Sequence, residues 1–174
     1  MTDIAKHPPR LRFVLVPSPL TGPFLWSRVA DTLWTQGERA AVARLADTNY
    51  IYPPFWLVQA AGIAASLPDT DIPTDQKVML VAHSGAGVLL PAIARLAANR
   101  ADCAPLAGFL FVDCDLPRNA CSRLDLFEDQ AAAEHMRKHA HDGWIRPWTS
   151  EQLERAIPDD ALRAQFTAQL PTIP

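Results

Sequence analysis

The segment Lys77–Gly87, which reads KVMLVAHSGAG, decides the fold of this chain. Its first part, Val78–Val81, is an apolar run between polar residues, which is typical of a buried parallel strand. A helical pattern follows over Leu89–Ala98, with apolar residues at 89, 90, 93 and 96. The pattern therefore predicts a strand, a tight turn around Ser84 and a helix, in that order.

The turn around Ser84 has the composition of a turn that exposes a nucleophilic serine. A strand-to-helix turn this sharp needs residues with almost no side chain two before and two after the serine, and Ala82 and Ala86 meet that condition. The competing interpretation is an ordinary turn in which Ser84 only caps the helix. We favour the nucleophile because the motif falls where that mechanism needs it, between a strand and a helix.

Composition and charge exclude several classes of protein. The 174 residues suffice for one domain with a sizeable core. A net charge of −3 gives no reason to expect nucleic acid or a membrane surface as a partner. No apolar run is long enough to span a bilayer, and the N-terminus has no signal core. We expect a cytoplasmic protein with reduced thiols, since there is no metal-type spacing among Cys103, Cys114 and Cys121.

Apolar runs alternate with helical patterns over the first two thirds of the chain. This alternation predicts an α/β fold, with a mostly parallel sheet and helices on its faces. In the first helix, the apolar residues Leu25, Val29 and Leu33 lie about four apart. The predicted strands are Arg12–Val16, Arg39–Leu45, Val78–Val81 and Ala107–Val112, and the helices between them are Phe24–Gln36, Phe55–Leu67 and Leu89–Ala98.

The pattern changes after Asp113, and no further strand is predicted. We predict a single structural domain that consists of an α/β core over residues 1–117 and a helical, cap-like region over residues 118–174. The helices predicted in that region are Asp125–Asp142, Ser150–Ala156 and Pro158–Leu170.

Three segments of the chain resemble the α/β-hydrolase superfamily in order and spacing. Phe13–Trp26 (FVLVPSPLTGPFLW) is similar to the first core strand and its oxyanion loop, Val78–Gly87 to the nucleophile elbow, and Phe109–Pro117 (FLFVDCDLP) to the next strand with its acid position. The resemblance implies an α/β-hydrolase fold that acts on a small-molecule substrate. It further implies hydrolysis of an ester, thioester, lactone or amide through an acyl-enzyme on Ser84, without a cofactor.

The resemblance also implies roles for three further residues. The backbone N–H of Gly85 is expected to donate to the oxyanion. Asp113 ends the strand after the nucleophile, where some members of the superfamily place the acid that orients the catalytic histidine. The alternative is that Asp113 only binds local N–H groups, and Asp115 is a second candidate for the acid. His83 should point away from Ser84.

The oxyanion loop departs from the superfamily pattern. Pro17-Ser18-Pro19 stands where members commonly have His-Gly, followed by the residue that donates an N–H. Pro19 has no N–H and cannot donate. The nearest replacement is the backbone N–H of Leu20.

The histidines depart from the pattern more strongly. Members of the superfamily carry the catalytic histidine after the acid, on a loop behind the last strand. None of the five histidines stands there, so we expect that the chain lacks a C-terminal segment or that a second copy supplies the missing parts. A sheet that ends early would leave an edge strand unpaired, which favours a homodimer. The five are His7, His83, His135, His139 and His141.

Other suggestive residues have simpler explanations. His135 and His139 lie four apart, as in some zinc sites, but Met136 stands where a hydrolytic zinc motif has its glutamate. We therefore predict no metal and interpret this helix as a solvated face. Aromatic side chains could line a substrate pocket or pack in the core, and both interpretations stay open for Tyr50, Tyr52, Phe55, Trp56, Trp144 and Trp148.

Two functions from other classes remain alternatives to a serine hydrolase. The first is a catalytically impaired protein of this fold that binds a small apolar ligand, because a serine hydroxyl without a base is a poor nucleophile. The second is a cofactor-independent lyase or isomerase in which Ser84 or His83 only positions the substrate. The fold alone does not decide between them.

Overall fold

A computed structural model of the chain describes residues 10–46, 54–69, 76–140 and 148–171. The described strands form one four-stranded sheet in the order β2-β1-β3-β4, and every pair is parallel. The prediction of a parallel α/β fold is confirmed. The strands are β1 Arg10–Val16, β2 Arg39–Val42, β3 Gln76–His83 and β4 Leu106–Val112, and the helices are α1 Phe24–Thr35, α2 Phe55–Ala65, α3 Leu90–Ala98, α4 Gln130–Ala140, α5 Ser150–Leu153 and α6 Asp160–Ala168.

The topology brings three loops to the carboxyl edge of the sheet. Val16 of β1 is in register with Ala82 of β3, and His83 is in register with Val112 of β4. Because all strands run the same way, the chain leaves each of them at the same edge. The loop after β1, the turn at Ser84 and the loop after β4 therefore lie side by side, as a site at this edge requires.

The core has one layer on each face of the sheet, because alternate residues of a strand point to opposite sides. Val14 and Leu80 belong to the larger layer, beneath α2 and α3, whereas Leu15 and Val81 belong to the smaller layer beneath α1. All four side chains are buried. The two layers fix β1 and β3 at the centre of the sheet.

Helix α1 begins at Phe24 as predicted and ends one residue earlier, but a different face packs on the sheet. Leu25 and Val29 are 38% and 40% exposed, whereas Trp26 and Ala30 are buried. Trp26 and Ala30 belong to the smaller core layer. The stripe predicted from Leu25, Val29 and Leu33 was therefore wrong for its first two residues, whereas Leu33 packs against the smaller layer.

Strand β2 is shorter than the predicted Arg39–Leu45 and ends at Val42. Beyond the end of β2, the side chain of Gln59 in α2 forms hydrogen bonds with the backbone of Ala46. The side-chain oxygen of Gln59 accepts from the Ala46 N–H at 2.8 Å, and its Nε2 donates to the Ala46 carbonyl at 3.0 Å. A buried glutamine thus satisfies the backbone polar groups of Ala46 after the chain has left the sheet.

The helix predicted over Asp125–Asp142 is broken in the structure. A 3-10 helix, Arg123–Leu126, begins with a capping box between Ser122 and Asp125. Helix α4 starts separately, because the Asp129 carboxylate accepts from the N–H groups at 131 and 132 at 2.9 and 3.1 Å. Aspartate side chains that accept from backbone N–H groups thus give each of the two helices its own start. The predicted end at Asp142 lies outside the described residues.

The last two helices are also shorter than predicted. Helix α5 ends at Leu153, and α6 begins at Asp160, after Asp159 accepts from the Leu162 N–H at 2.8 Å. Phe166 of α6 is buried and its ring centroid lies 6.2 Å from that of Phe24. This contact brings the C-terminal region against the start of α1, next to the loop after β1.

Strand β4 lies at an edge of the described sheet and exposes large apolar side chains. Four consecutive residues, Phe109–Val112, are between 38% and 46% exposed. An exposed apolar edge strand is compatible with the predicted homodimer, which stays a prediction. The predicted division between core and cap at residue 117 also stays a prediction. Within the described ranges, no helix has the length and apolar character needed to cross a membrane.

Candidate active site

Ser84 occupies a strained turn between β3 and a 3-10 helix, Ser84–Leu89, that leads into α3. Its φ is +52°, a left-handed conformation that non-glycine residues rarely adopt. The residues two before and two after it, Ala82 and Ala86, are fully buried. Larger side chains there would meet the core, which is why the sequence could predict this turn. Backbone strain of this kind concentrates at functional sites.

Two glycines let neighbouring segments approach this turn. A Cβ on Gly85 would lie 2.9 Å from Nε of Arg123. A Cβ on Gly87 would lie 2.8 Å from the carbonyl oxygen of Asp115 and 2.9 Å from Cβ of Cys114. Real Cβ atoms do not come this close to other heavy atoms. The loop after β4 and the 3-10 helix that follows it are therefore packed directly on the turn.

Of the two predicted oxyanion donors, Gly85 is better placed than Leu20. Gly85 lies in the first turn of a helix, where N–H groups have no acceptor within the helix. The Leu20 N–H instead donates to Oγ of Ser18 at 3.2 Å. Ser18 is fully buried, and its carbonyl accepts from Thr21 and Gly22. Leu20 is thus engaged within its own turn.

Asp113 directly follows β4 and also has a positive φ, +47°. Its side chain is exposed, and its negative charge acts on His83. The parallel register places the end of β4 beside the end of β3, so Asp113 and Ser84 lie at the same edge of the sheet. This is the place that the sequence predicted for the acid, and its role remains a proposal.

The ring of His83 packs against α1. Its ring lies edge-on to the ring of Trp26, with centroids 6.1 Å apart. Burial lowers the pKa of His83 below its ordinary value of 6.5, and the negative charge of Asp113 acts in the opposite direction. Its Nδ1 is buried and has no hydrogen-bond partner in the described part of the chain. The lowered pKa favours the neutral form of the His83 imidazole at pH 7.

Arg123 is a site residue that the sequence did not indicate. Its Nη2 lies 3.5 Å from Oγ of Ser84, and its Nε lies 3.3 Å from a carboxylate oxygen of Asp115. The guanidinium also stacks over the ring of Phe127, 5.0 Å from the centroid. Arg123 is 39 residues from Ser84 in the sequence, and no local pattern marks it. Asp115, the second candidate for the acid, is thus the partner of this arginine.

The remaining candidates do not converge on Ser84. His135 lies at an exposed position of α4, and Trp56 and Trp148 are 50% and 40% exposed. Within the described residues, no group of three or more His, Cys, Asp or Glu side chains could hold a metal ion. Predictions for His7, Tyr50, Tyr52, His141 and Trp144, and for the side chain of His139, concern parts of the chain outside the described residues.

Solved structures with the same arrangement are α/β-hydrolase-fold proteins. An extracellular α/β-hydrolase from a Paenibacillus species superposes with a TM-score of 0.68 at 17% identity, covering 94% of this chain and 66% of that one. Tomato methylketone synthase I, solved with 2-tridecanone, gives 0.65 at 14% identity, covering 94% and 67%. ClbQ, from the colibactin NRPS/PKS pathway, gives 0.50 at 13% identity, covering 92% and 68%.

The chain spans about two thirds of the length of these structures, between 66% and 68%. No family model and no curated protein matches the sequence. At identities of 13–17%, the likeness establishes the fold and does not assign the reaction.

Proposed function

We propose that this chain, which has the α/β-hydrolase fold, is a serine hydrolase whose nucleophile is Ser84. The observation that carries the proposal is the backbone of Ser84, with a φ of +52° at the junction of a parallel strand and a helix. A serine that merely caps a helix has an extended backbone and needs no such strain. Strain at this position is consistent with a side chain that is held out of the turn for chemistry.

The proposed reaction is acyl transfer to Ser84. Its Oγ forms a bond to the carbonyl carbon of an ester, thioester, lactone or amide, and the electron pair of the C=O bond moves to the oxygen. The backbone N–H of Gly85 donates to that oxyanion. The tetrahedral intermediate then collapses, the bond to the leaving group breaks, and water later hydrolyses the acyl-enzyme.

A general base must take the proton of Ser84 and return it to the leaving group. His83 does not suit this role, because its ring packs against Trp26. We assign the base to another histidine and propose Asp113, at the same edge of the sheet, as the carboxylate that orients it.

A protein that binds a small apolar ligand without turnover is the second candidate. It is favoured by one observation, the 3.5 Å contact between Ser84 and Arg123. A guanidinium stays protonated at neutral pH and cannot act as a base. The 2-tridecanone bound to the tomato enzyme makes a long-chain methyl ketone a suitable probe of this alternative.

Hydrolysis of p-nitrophenyl acetate tests the proposal. We expect the wild-type protein to release p-nitrophenol, Ser84→Ala to release it no faster than buffer does, and Ser66→Ala to match the wild type. Ser66 is a matched control because it is an exposed serine at the end of α2. Equal rates for Ser84→Ala and the wild type would refute the proposal. Binding of 2-tridecanone by a protein that hydrolyses nothing would support the alternative.

A further inference from the structure

We propose that Arg123 provides a charged donor to the oxyanion that forms on a substrate bound to Ser84. This inference rests on the proposed function and adds a side-chain donor to the backbone donor already named. The guanidinium lies over Gly85, where a Cβ would come within 2.9 Å of Nε. Gly85, whose backbone N–H is the other donor, has no side chain, and this absence makes room for the Arg123 guanidinium.

The distance between Arg123 and Ser84 suits this role. Nη2 lies 3.5 Å from Oγ, at the outer limit of a hydrogen bond. In the tetrahedral intermediate, the negative oxygen is attached to the carbon that Oγ has attacked, so it lies only two bonds from Oγ. A donor that already reaches Oγ is within reach of that oxygen after a small side-chain movement.

Arg123 also has unused hydrogen-bonding capacity. A guanidinium carries five N–H donors, yet Nε of Arg123 is buried without a hydrogen-bond partner among the described residues. Its 3.3 Å contact with Asp115 lacks the direction of a hydrogen bond and is an ion pair only. Donors that are removed from water and left unsatisfied cost free energy. A negatively charged oxygen at Ser84 would relieve that cost through short, charge-assisted hydrogen bonds.

Two contacts hold the guanidinium in place, and a helix cap holds the segment that carries it. Asp115 provides the opposite charge, and the ring of Phe127 supports one face of the group at 5.0 Å. The capping box between Ser122 and Asp125 fixes the start of the 3-10 helix that carries Arg123. A positioned donor needs little reorganisation at the moment of reaction, which is where electrostatic catalysis gains most.

The loop after β1 explains why such a donor would be needed. Pro19 has no N–H, and the Leu20 N–H is bound to Oγ of Ser18 at 3.2 Å. Without Arg123, the oxyanion would have a single backbone donor among the residues that the structure describes, that of Gly85. Loss of one of two donors lowers kcat by about 10²–10³.

Kinetics of Arg123 variants provide the first test. We expect Arg123→Met to lower kcat for p-nitrophenyl acetate by about 10²-fold with little change in KM, and Arg123→Lys to recover part of the loss. Gly85→Ala should act like Arg123→Met, because its Cβ displaces the guanidinium while the N–H and the charge remain. Arg118→Met, an exposed arginine of the same loop, should match the wild type. Unchanged kcat in Arg123→Met would overturn the inference.

A binding experiment separates this inference from the proposed function. In Ser84→Ala, which cannot form an acyl-enzyme, methylphosphonate serves as an unreactive mimic of the tetrahedral anion. We expect calorimetry to detect its binding and Arg123→Met in the same background to weaken it at least tenfold, whereas Arg118→Met leaves it unchanged. Absent binding, or equal binding with and without Arg123, would overturn the role of Arg123 whether or not Ser84 hydrolyses esters. Failure of ester hydrolysis with binding intact would refute only the serine mechanism.

Discussion

Gly87 lies directly beneath Asp115, so that a Cβ on this glycine would come within 2.8 Å of the Asp115 carbonyl oxygen. The helix start after Ser84 and the loop after β4 are thereby in backbone contact. Asp115 in turn forms the ion pair with Arg123, at 3.3 Å. The position of the Arg123 guanidinium beside Ser84 therefore depends on Gly87, which lies three residues after Ser84.

Gly87→Ala should destabilise the protein by about 1–3 kcal/mol, because the added methyl group meets backbone that cannot move away without distorting the loop. Urea unfolding measures the loss. Gly62→Ala is the matched control: its Cβ would meet only an ordinary contact at 3.9 Å, and alanine is the better helix former in α2. Equal stability of Gly87→Ala and the wild type would contradict the close packing.

Ser84→Gly should be more stable than Ser84→Ala, by about 1 kcal/mol. Both variants remove the hydroxyl, but only glycine adopts a φ of +52° without a steric cost. Denaturant unfolding of the two variants under the same conditions gives the difference. If the alanine variant were the more stable, the turn would not be strained at Ser84.

Cysteine reactivity should follow the packing of the loop after β4. Burial raises the pKa of the Cys103 and Cys114 thiols, which leaves less of the reactive thiolate, whereas Cys121 is exposed. Iodoacetamide at pH 7.5 should therefore modify Cys121 first, as read by peptide mass spectrometry. In urea, where the chain is unfolded, all three cysteines should react at one rate. The same uniform rate in the native protein would show that Cys114 is not held against Gly87.

The pH dependence of stability should carry a contribution from His83. Because burial lowers its pKa in the folded protein, the unfolded chain takes up the proton more readily. The contribution is fully present above the unfolded value of 6.5 and is lost as the pH falls through the lowered pKa. Replacement by asparagine should remove this part of the acid sensitivity.

Urea titrations of the wild type and His83→Asn between pH 8 and 5 measure that contribution. The difference in unfolding free energy between the two proteins should shrink on acidification below about pH 6.5. The common titration of carboxylates cancels in this comparison. A difference that stays constant with pH would mean that His83 keeps its ordinary pKa.

The parallel sheet and the turn at Ser84 were predictable because they depend on local pattern. The apolar run of β3 and the small residues Ala82 and Ala86 leave few other structures open to this segment. Element boundaries were less predictable, because long-range or capping contacts set them. Gln59 of α2 binds the backbone of Ala46 beyond the end of β2, and the side chain of Asp129 caps the start of α4.

The charged part of the site was not predictable from the sequence. Arg123 and Asp115 lie 39 and 31 positions after Ser84, and only the packing of the loop after β4 brings them to the turn. Leu20 was a reasonable donor by spacing, but the hydroxyl of Ser18 competes for its N–H. Competition of this kind is decided by the three-dimensional arrangement of a loop and leaves no periodic signal.

Reaction of the protein with a fluorophosphonate, followed by intact mass, tests the central claim most directly. The reagent bonds only to a serine that is activated as a nucleophile. We predict a single adduct on the wild-type protein, none on Ser84→Ala, and an adduct on Ser66→Ala. No adduct on the wild type, or one that persists in Ser84→Ala, would contradict the assignment of Ser84 as the nucleophile.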